Sequence, residues 1–156
     1  MATIDLPDEK ATLALAAQVA ALVQPGDVIA LKGDLGSGKT TFARAFIAAR
    51  GGGEVVPSPT FTLVQTYNLP GGAVWHFDLY RLRTAEEAWE LGIEEAFAAG
   101  VSLIEWPERL GLLLPKRHLM ILLDFAPAEG ARRATLTGGG HWPAWLVEVA
   151  SRGAGG

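Results

Sequence analysis

Gly33-Asp-Leu-Gly-Ser-Gly-Lys-Thr40 is the segment whose residue types and spacing are matched to a chemistry. It satisfies G-x-x-x-x-G-K-[ST] at every fixed position. Gly33, Gly36 and Gly38 let the backbone turn through φ values that a Cβ resists. Loop N–H groups can then converge on phosphate oxygens, and a helix starting here adds the positive end of its dipole. Lys39 would bring a full charge to the β- and γ-phosphates, and the Thr40 hydroxyl would ligate Mg²⁺. The first expectation is therefore a nucleoside triphosphate site.

Such a site needs an acid at the end of a neighbouring strand to hold the metal directly or through water. Asp78 closes the run Val74-Trp-His-Phe-Asp78, and Glu105 closes Val101-Ser-Leu-Ile-Glu105. Glu105 follows the more typical run of small apolar residues and could ligate the metal or orient a water. For either acid, the plainer alternative is a solvated strand end or a structural ion pair. Pro57-Ser-Pro-Thr-Phe-Thr62 is placed where a γ-phosphate-sensing loop could lie, with a hydroxyl from Thr60 or Thr62. Strand-entry chemistry explains those residues equally well. His76 shares a strand face with Asp78 and reads as a packed histidine rather than a catalytic one. Trp75, Trp89, Trp106, Trp142 and Trp145 are scattered and read as packing. Trp106 stands apart only because it follows Glu105.

These residues need elements to hold them. Val28 to Leu31 is a short apolar run, as in a buried parallel strand, and Thr40 onward is helical with Phe42, Ala45 and Phe46 on one face. Residues 8–23 predict a helix with Asp8 as N-cap and Leu13, Ala16, Ala17, Ala20 and Val23 as its apolar stripe, stopped by Pro25-Gly26. Arg50-Gly-Gly-Gly53 ends the phosphate-loop helix. A strand from Phe61 and a returning strand Ala73–Leu79 flank the turn Leu69-Pro-Gly-Gly72, which predicts a hairpin and hence a mixed sheet. Thr84-Ala-Glu-Glu87 is a capping-box pattern opening a helix through Leu91; Gly92 interrupts it, and Ile93 to Ala99 resumes. Val101–Trp106, His118–Phe125 and Ala131–Thr137 read as strands. Leu110–Leu114 is ambiguous between helix and loop, and Pro143 suits the first turn of a short helix to about Ala150.

The 156 residues contain no cysteine, which excludes disulfides, thiolate metal sites and cysteine nucleophiles. One domain over residues 1–150 with a flexible 151–156 tail is expected. No apolar run approaches ~20 residues, so no membrane span is expected. The N-terminus lacks the basic and apolar regions of a secretory signal, which makes a cytoplasmic protein the default. The net charge of −4 disfavours independent nucleic-acid binding; Arg81, Arg83, Arg109, Lys116, Arg117, Arg132 and Arg133 read as solvated surface. No N-K-x-D or D-x-x-G element follows Lys39. That argues against a guanine-nucleotide switch and leaves ATP by elimination.

Taken together, Leu6–Thr12, Gly33–Thr41, Ser58–Val64, His76-Phe-Asp-Leu-Tyr-Arg-Leu82 and Ile104-Glu-Trp-Pro107 resemble the bacterial TsaE family, the ATPase of tRNA threonylcarbamoyladenosine biosynthesis. Their order and spacing cover about residues 6–110, with a weaker match over the Arg132-Arg133 strand. The resemblance implies an α/β single-domain P-loop NTPase fold with a mixed parallel/antiparallel central sheet flanked by helices. It implies weak ATPase activity that supports repeated turnover of an assembly. The partners implied are a tRNA threonylcarbamoyltransferase subunit and its inactive paralogue (TsaD and TsaB type), which would contact most of the tRNA. By motif match, Gly36, Ser37, Gly38, Lys39, Thr40 and Thr41 would hold ATP phosphates, and Thr40 and Glu105 the Mg²⁺. Asp78 would support that site, Thr60 would lie in a switch-like loop, and Trp106 would lie near the nucleotide or partner face. Thr12 would approach the adenine. Arg132 or Arg133 would reach the nucleotide, with Arg133 the assigned residue. Two rival readings are a small-molecule or nucleotide kinase, with Arg44, Arg81 and Arg83 closing on an acceptor, and a nucleotide-gated binding module in which hydrolysis is dispensable.

Overall fold

The computed structural model describes residues 1–34, 36–51 and 63–146. Its strands are β1 (Ala2–Leu6), β2 (Val28–Lys32), β3 (Val64–Leu69), β4 (Gly72–Asp78), β5 (Val101–Glu105), β6 (Leu119–Phe125) and β7 (Arg132–Gly138). Its α-helices are α1 (Glu9–Leu22), α2 (Lys39–Ala49), α3 (Glu87–Glu90) and α4 (Ile93–Ala99). A 3₁₀ segment spans Pro107–Leu113. The strands form one sheet in the order β1-β7-β6-β2-β5-β4-β3. β6, β2, β5 and β4 run parallel; β7 is antiparallel to β6 and β1, and β3 to β4. The expected mixed sheet is thus observed.

Two apolar layers enclose the parallel centre. On one face α1 and α2 pack through Leu15, Val19, Phe42 and Phe46 onto Ile29, Leu31, Leu103 and Ile121. On the other, Ala88, Ile93, Ala96 and Leu110 cover Val28, Phe77 and Ile104. Strands buried on both sides read as continuous apolar runs, which is why Val28–Leu31 and Val101–Ile104 were legible. Their parallel alignment carries Gly33, Glu105 and Asp78 to one edge of the sheet: Leu31 and Asp78 are both register partners of Glu105.

Most local signals hold in detail. Asp8 caps α1, its Oδ1 accepting from Ala11 N at 3.0 Å. Glu87 Oε1 reaches back to Thr84 N at 3.0 Å, but this bond closes the turn before α3: the helix spans only Glu87–Glu90, its N-cap is Glu86, and Thr84 does not open it as the capping-box pattern suggested. Gly92 separates α3 from α4 in a left-handed conformation. The hairpin turns over Pro70-Gly71, with Leu69 opposite Gly72. The ambiguous Leu110–Leu114 stretch is mostly 3₁₀, kinked at Gly111.

One element was not anticipated from the sequence, and one expectation needs correction. The N-terminal residues form β1, an edge strand paired with β7; Ala2 and Leu6 are buried while Thr3 and Asp5 face solvent. The buried stripe of α1 is Thr12, Leu15, Ala16, Val19 and Ala20, and Leu13 is exposed. An alanine-rich helix gives little directional signal, so the sheet and α2 choose its face. Residues 142–146 are helical as Pro143 suggested; the extension to Ala150, the 151–156 tail, Phe61 and the Pro57–Thr62 segment with Thr60 lie outside the described residues. No helix among the described residues is long and apolar enough to cross a membrane.

Candidate functional site

The glycine loop joins the C-terminal end of β2 to α2. A Cβ on Gly33 would meet Leu123 O and Ser37 Oγ, each at 2.5 Å, so no side chain fits there. Gly36 and Gly38 have φ of 79° and 109° but open space where a Cβ would stand. Their requirement is conformational, and the loop's outer side stays clear. Gly38 is the N-cap of α2 and supplies no side chain to its first-turn N–H groups. Those donors and the helix dipole are thereby left for an anion.

Lys39 is buried at the loop mouth. Its Nζ donates to Gly33 O and, at 3.0 Å, to Asp34 O, and lies 4.1 Å from the Trp106 ring centroid. Burial pushes its pKa below the usual lysine value, against the raising influence of Glu105, Glu108, Asp78 and Asp34. Trp106 holds a left-handed backbone at φ 62° and packs against Tyr80, ring centroids 4.9 Å apart. A left-handed tryptophan costs on the order of 1 kcal/mol or more, which the surrounding packing must offset.

Glu105 is buried at the end of β5. Its Oε1 accepts from Thr40 Oγ1 at 2.9 Å, and its Oε2 lies 2.7 Å from His76 Nε2. Asp78 stands beside it in register and is half-buried. Burial, then the neighbouring Glu105 charge, raises the Asp78 pKa, opposed by the Tyr80 N–H, His76 and Lys39. This donor set fits Mg²⁺. Adjacent ligands of an octahedral Mg²⁺ at about 2.1 Å lie about 3 Å apart, close to the Thr40–Glu105 oxygen separation. No cluster of three or more His, Cys, Asp or Glu among the described residues makes a closed metal cage. Mg²⁺ held by Thr40 and Glu105 would complete its shell with phosphate oxygens and water.

Lys39, Thr40, Thr41, Asp78, Glu105 and Trp106 open onto one cavity of about 400 Å³. Thr12 lines a neighbouring cavity of about 360 Å³ with Gly36, Ser37, Gly38, Thr41 and Arg132. Gly36, Gly38 and Thr41 border both, so the two lie on either side of the loop. A triphosphate in the first and a base in the second is an arrangement this geometry allows.

The structure separates the two arginines. Arg132 donates from Nε to Ser37 O and from Nη2 to Gly36 O, both at 3.2 Å, with its guanidinium 4.5 Å from the Phe125 ring centroid. Arg133 points to the opposite face, where it pairs with Asp5 at 3.1 Å, both side chains exposed. The expectation that Arg133 faces the nucleotide loop is corrected: Arg132 meets the loop and Arg133 does not, since successive strand residues alternate faces. His76 is a packed, fully buried histidine, as read, and its partner is Glu105. Its strand face was read correctly, but its contact with Glu105 depends on β4 and β5 pairing, which no local signal reports.

The profile of the family described as "Threonylcarbamoyl adenosine biosynthesis protein TsaE" matches residues 6–134. The chain is 40% identical over 147 residues to the TsaE protein of Bacillus subtilis, covering 94% of this chain and 90% of that one. It is 45% identical over 111 residues to that of Rickettsia bellii, covering 70% and 77%. It is 36% identical over 126 residues to that of Haemophilus influenzae, covering 77% and 80%. The crystal structure of Bacillus subtilis YdiB superposes with a TM-score of 0.77 at 35% identity, covering 96% of this chain and 93% of that one. The sheet, the glycine loop and these similarities converge: the chain belongs to the TsaE family of threonylcarbamoyl adenosine biosynthesis proteins and has its α/β P-loop NTPase fold.

Proposed function

We propose that this protein binds Mg²⁺·ATP, hydrolyses it slowly, and thereby supports repeated turnover of the cytoplasmic assembly that forms N6-threonylcarbamoyladenosine at position 37 of ANN-decoding tRNAs. The observation that carries the reading is the meeting of Thr40, Glu105 and Lys39 at the sheet edge beyond β2 and β5. A P-loop helix start, a hydroxyl and a strand-end acid form the part-set that phosphoryl transfer to water requires.

Each residue has a task in this reading. The Gly36–Thr41 backbone binds the phosphates, and Lys39 moves from its loop carbonyls onto the β/γ-phosphate oxygens. Thr40 and Glu105 hold the metal; bound there, Mg²⁺ supplies charge neutralisation on those oxygens. Asp78 lies close enough to Glu105 to orient a water of that shell. Trp106 excludes bulk water from the lysine. Thr12 and Arg132 border the base side, Arg132 by holding the loop carbonyls. Thr60 belongs to the switch-like loop that the family resemblance implies. Partners of the threonylcarbamoyltransferase type and its inactive paralogue make the principal tRNA contacts, in keeping with a chain of net charge −4.

Phosphate release from Mg²⁺·ATP, with and without those two partner subunits, tests the proposal. Slow release alone and faster release with partners is expected. Phosphate appearing on a small acceptor instead of in solution would replace it with the kinase reading.

A further inference from the structure

We propose that His76 is a positioning residue that sets the orientation of Glu105 for Mg²⁺ bound at Thr40, an inference that rests on the Mg²⁺·ATP reading above. The Nε2–Oε2 contact is 2.7 Å, with the His76 and Glu105 side chains 0% and 3% exposed. A carboxylate has no proton to give, so the ring N–H donates and Oε2 is committed to His76. The other oxygen, Oε1, is left to Thr40 at 2.9 Å. The two carboxylate oxygens therefore have separate duties, one structural and one at the site. Glu105 has three rotatable side-chain bonds, and without His76 nothing described holds its second oxygen.

Packing alone does not explain a histidine here. His76 Nδ1 is buried with no hydrogen-bond partner among the described residues. An apolar residue would fill the position without burying that polar atom, which carries a desolvation cost. The use that favours imidazole is the one nitrogen spent on Glu105. His76 precedes Asp78 by two positions on β4 and faces the same side, so it reaches Glu105 diagonally across the β4–β5 pair. It acts on the metal site through Glu105. Ligand-orienting hydrogen bonds of this kind are worth 10–100-fold in metal affinity in metalloproteins generally.

The test is a set of Mg²⁺ titrations of ATP binding, read calorimetrically, with thermal unfolding measured alongside. The proteins are the wild type, His76→Leu, His76→Gln, Glu105→Gln and the His76→Leu/Glu105→Gln double variant. His76→Leu is expected to raise the Mg²⁺ concentration at half-effect roughly tenfold while ATP affinity without Mg²⁺ changes less than about twofold. His76→Gln, whose amide N–H sits near the position of Nε2, is expected to recover part of the loss. In the Glu105→Gln background the leucine substitution should add nothing. An unchanged Mg²⁺ requirement in His76→Leu, or the same loss in the Glu105→Gln background, overturns the proposal. A wild type with no Mg²⁺-dependent ATP binding overturns the functional reading itself, a separate and recognisable result. If His76→Leu does not fold, the ring ¹⁵N signals of His76 in the ATP-bound wild type decide: they should move when Mg²⁺ is added, and stationary signals overturn the proposal.

Discussion

Thr40 and Glu105 stand 65 residues apart in the chain and are joined by a 2.9 Å hydrogen bond from the threonine hydroxyl to Oε1. The contact exists because β2 and β5 are parallel neighbours, with Leu31 in register with Glu105. It brings one donor from the phosphate-loop helix and one from a strand end to a spacing suited to a single hard cation. Glu105→Gln should keep the side-chain shape and much of the ATP affinity while lowering phosphate release more than binding, because the metal loses a charged ligand. Parallel measurements of ATP binding and phosphate release check this; equal turnover in the variant would remove Glu105 from the chemistry.

Asp78 gives a pH signature. Its folded-state pKa is raised, chiefly by burial and then by Glu105. The ionised carboxylate is therefore a net cost to the fold above that pKa, and the cost disappears as pH falls through it toward the unfolded value. Asp78→Asn keeps an oxygen for the Tyr80 N–H, which Oδ1 accepts at 3.3 Å. The variant should unfold at a higher temperature than the wild type at pH 7, lose that advantage as the solution is acidified toward the ordinary aspartate pKa, and release phosphate more slowly. Melting curves across the acid range check the sign.

Arg132 and Arg133 should behave oppositely despite being adjacent. Arg132→Ala removes two donors from the Gly36 and Ser37 carbonyls. It should weaken ATP binding by roughly threefold to tenfold, since a charged hydrogen bond is worth about 1.5–3 kcal/mol and part is regained from water. Arg133→Ala removes only an exposed pair with Asp5, worth at most about 1 kcal/mol, and should leave binding unchanged. Side-by-side ATP titrations separate them.

The start of α1 offers a purely structural check. Asp8→Ala removes the acceptor for Ala11 N and should cost about 1 kcal/mol. For a chain of this length, that lowers the unfolding midpoint by about 2–4 °C. A differential melting curve against the wild type measures it.

What could be read from the sequence was whatever is encoded locally. The glycine loop, the Asp8 cap, the Gly92 break and the Pro70-Gly71 hairpin each depend on residues within a few positions of one another. What could not be read depends on pairing across the sheet. β1 has a short alternating pattern, and its partner β7 lies at the other end of the chain. Choosing Arg132 over Arg133 required knowing which face of β7 meets the loop. The α1 stripe was misplaced because alanines make several faces look alike, and only Leu15 and Val19 in the core resolve it. His76 belongs with these: its residue type and face were legible, but its contact with Glu105 was not.

The most direct measurement of the central claim is a calorimetric titration of ATP with Mg²⁺ into the wild type and into Lys39→Ala. Lys39 carries the positive charge at the loop mouth, and its Nζ lies between the loop carbonyls and Trp106. The wild type should bind at one site, and the variant should bind at least about tenfold more weakly, the loss expected for a charged hydrogen bond. Equal affinity in two folded proteins, or no binding by the wild type, would contradict it.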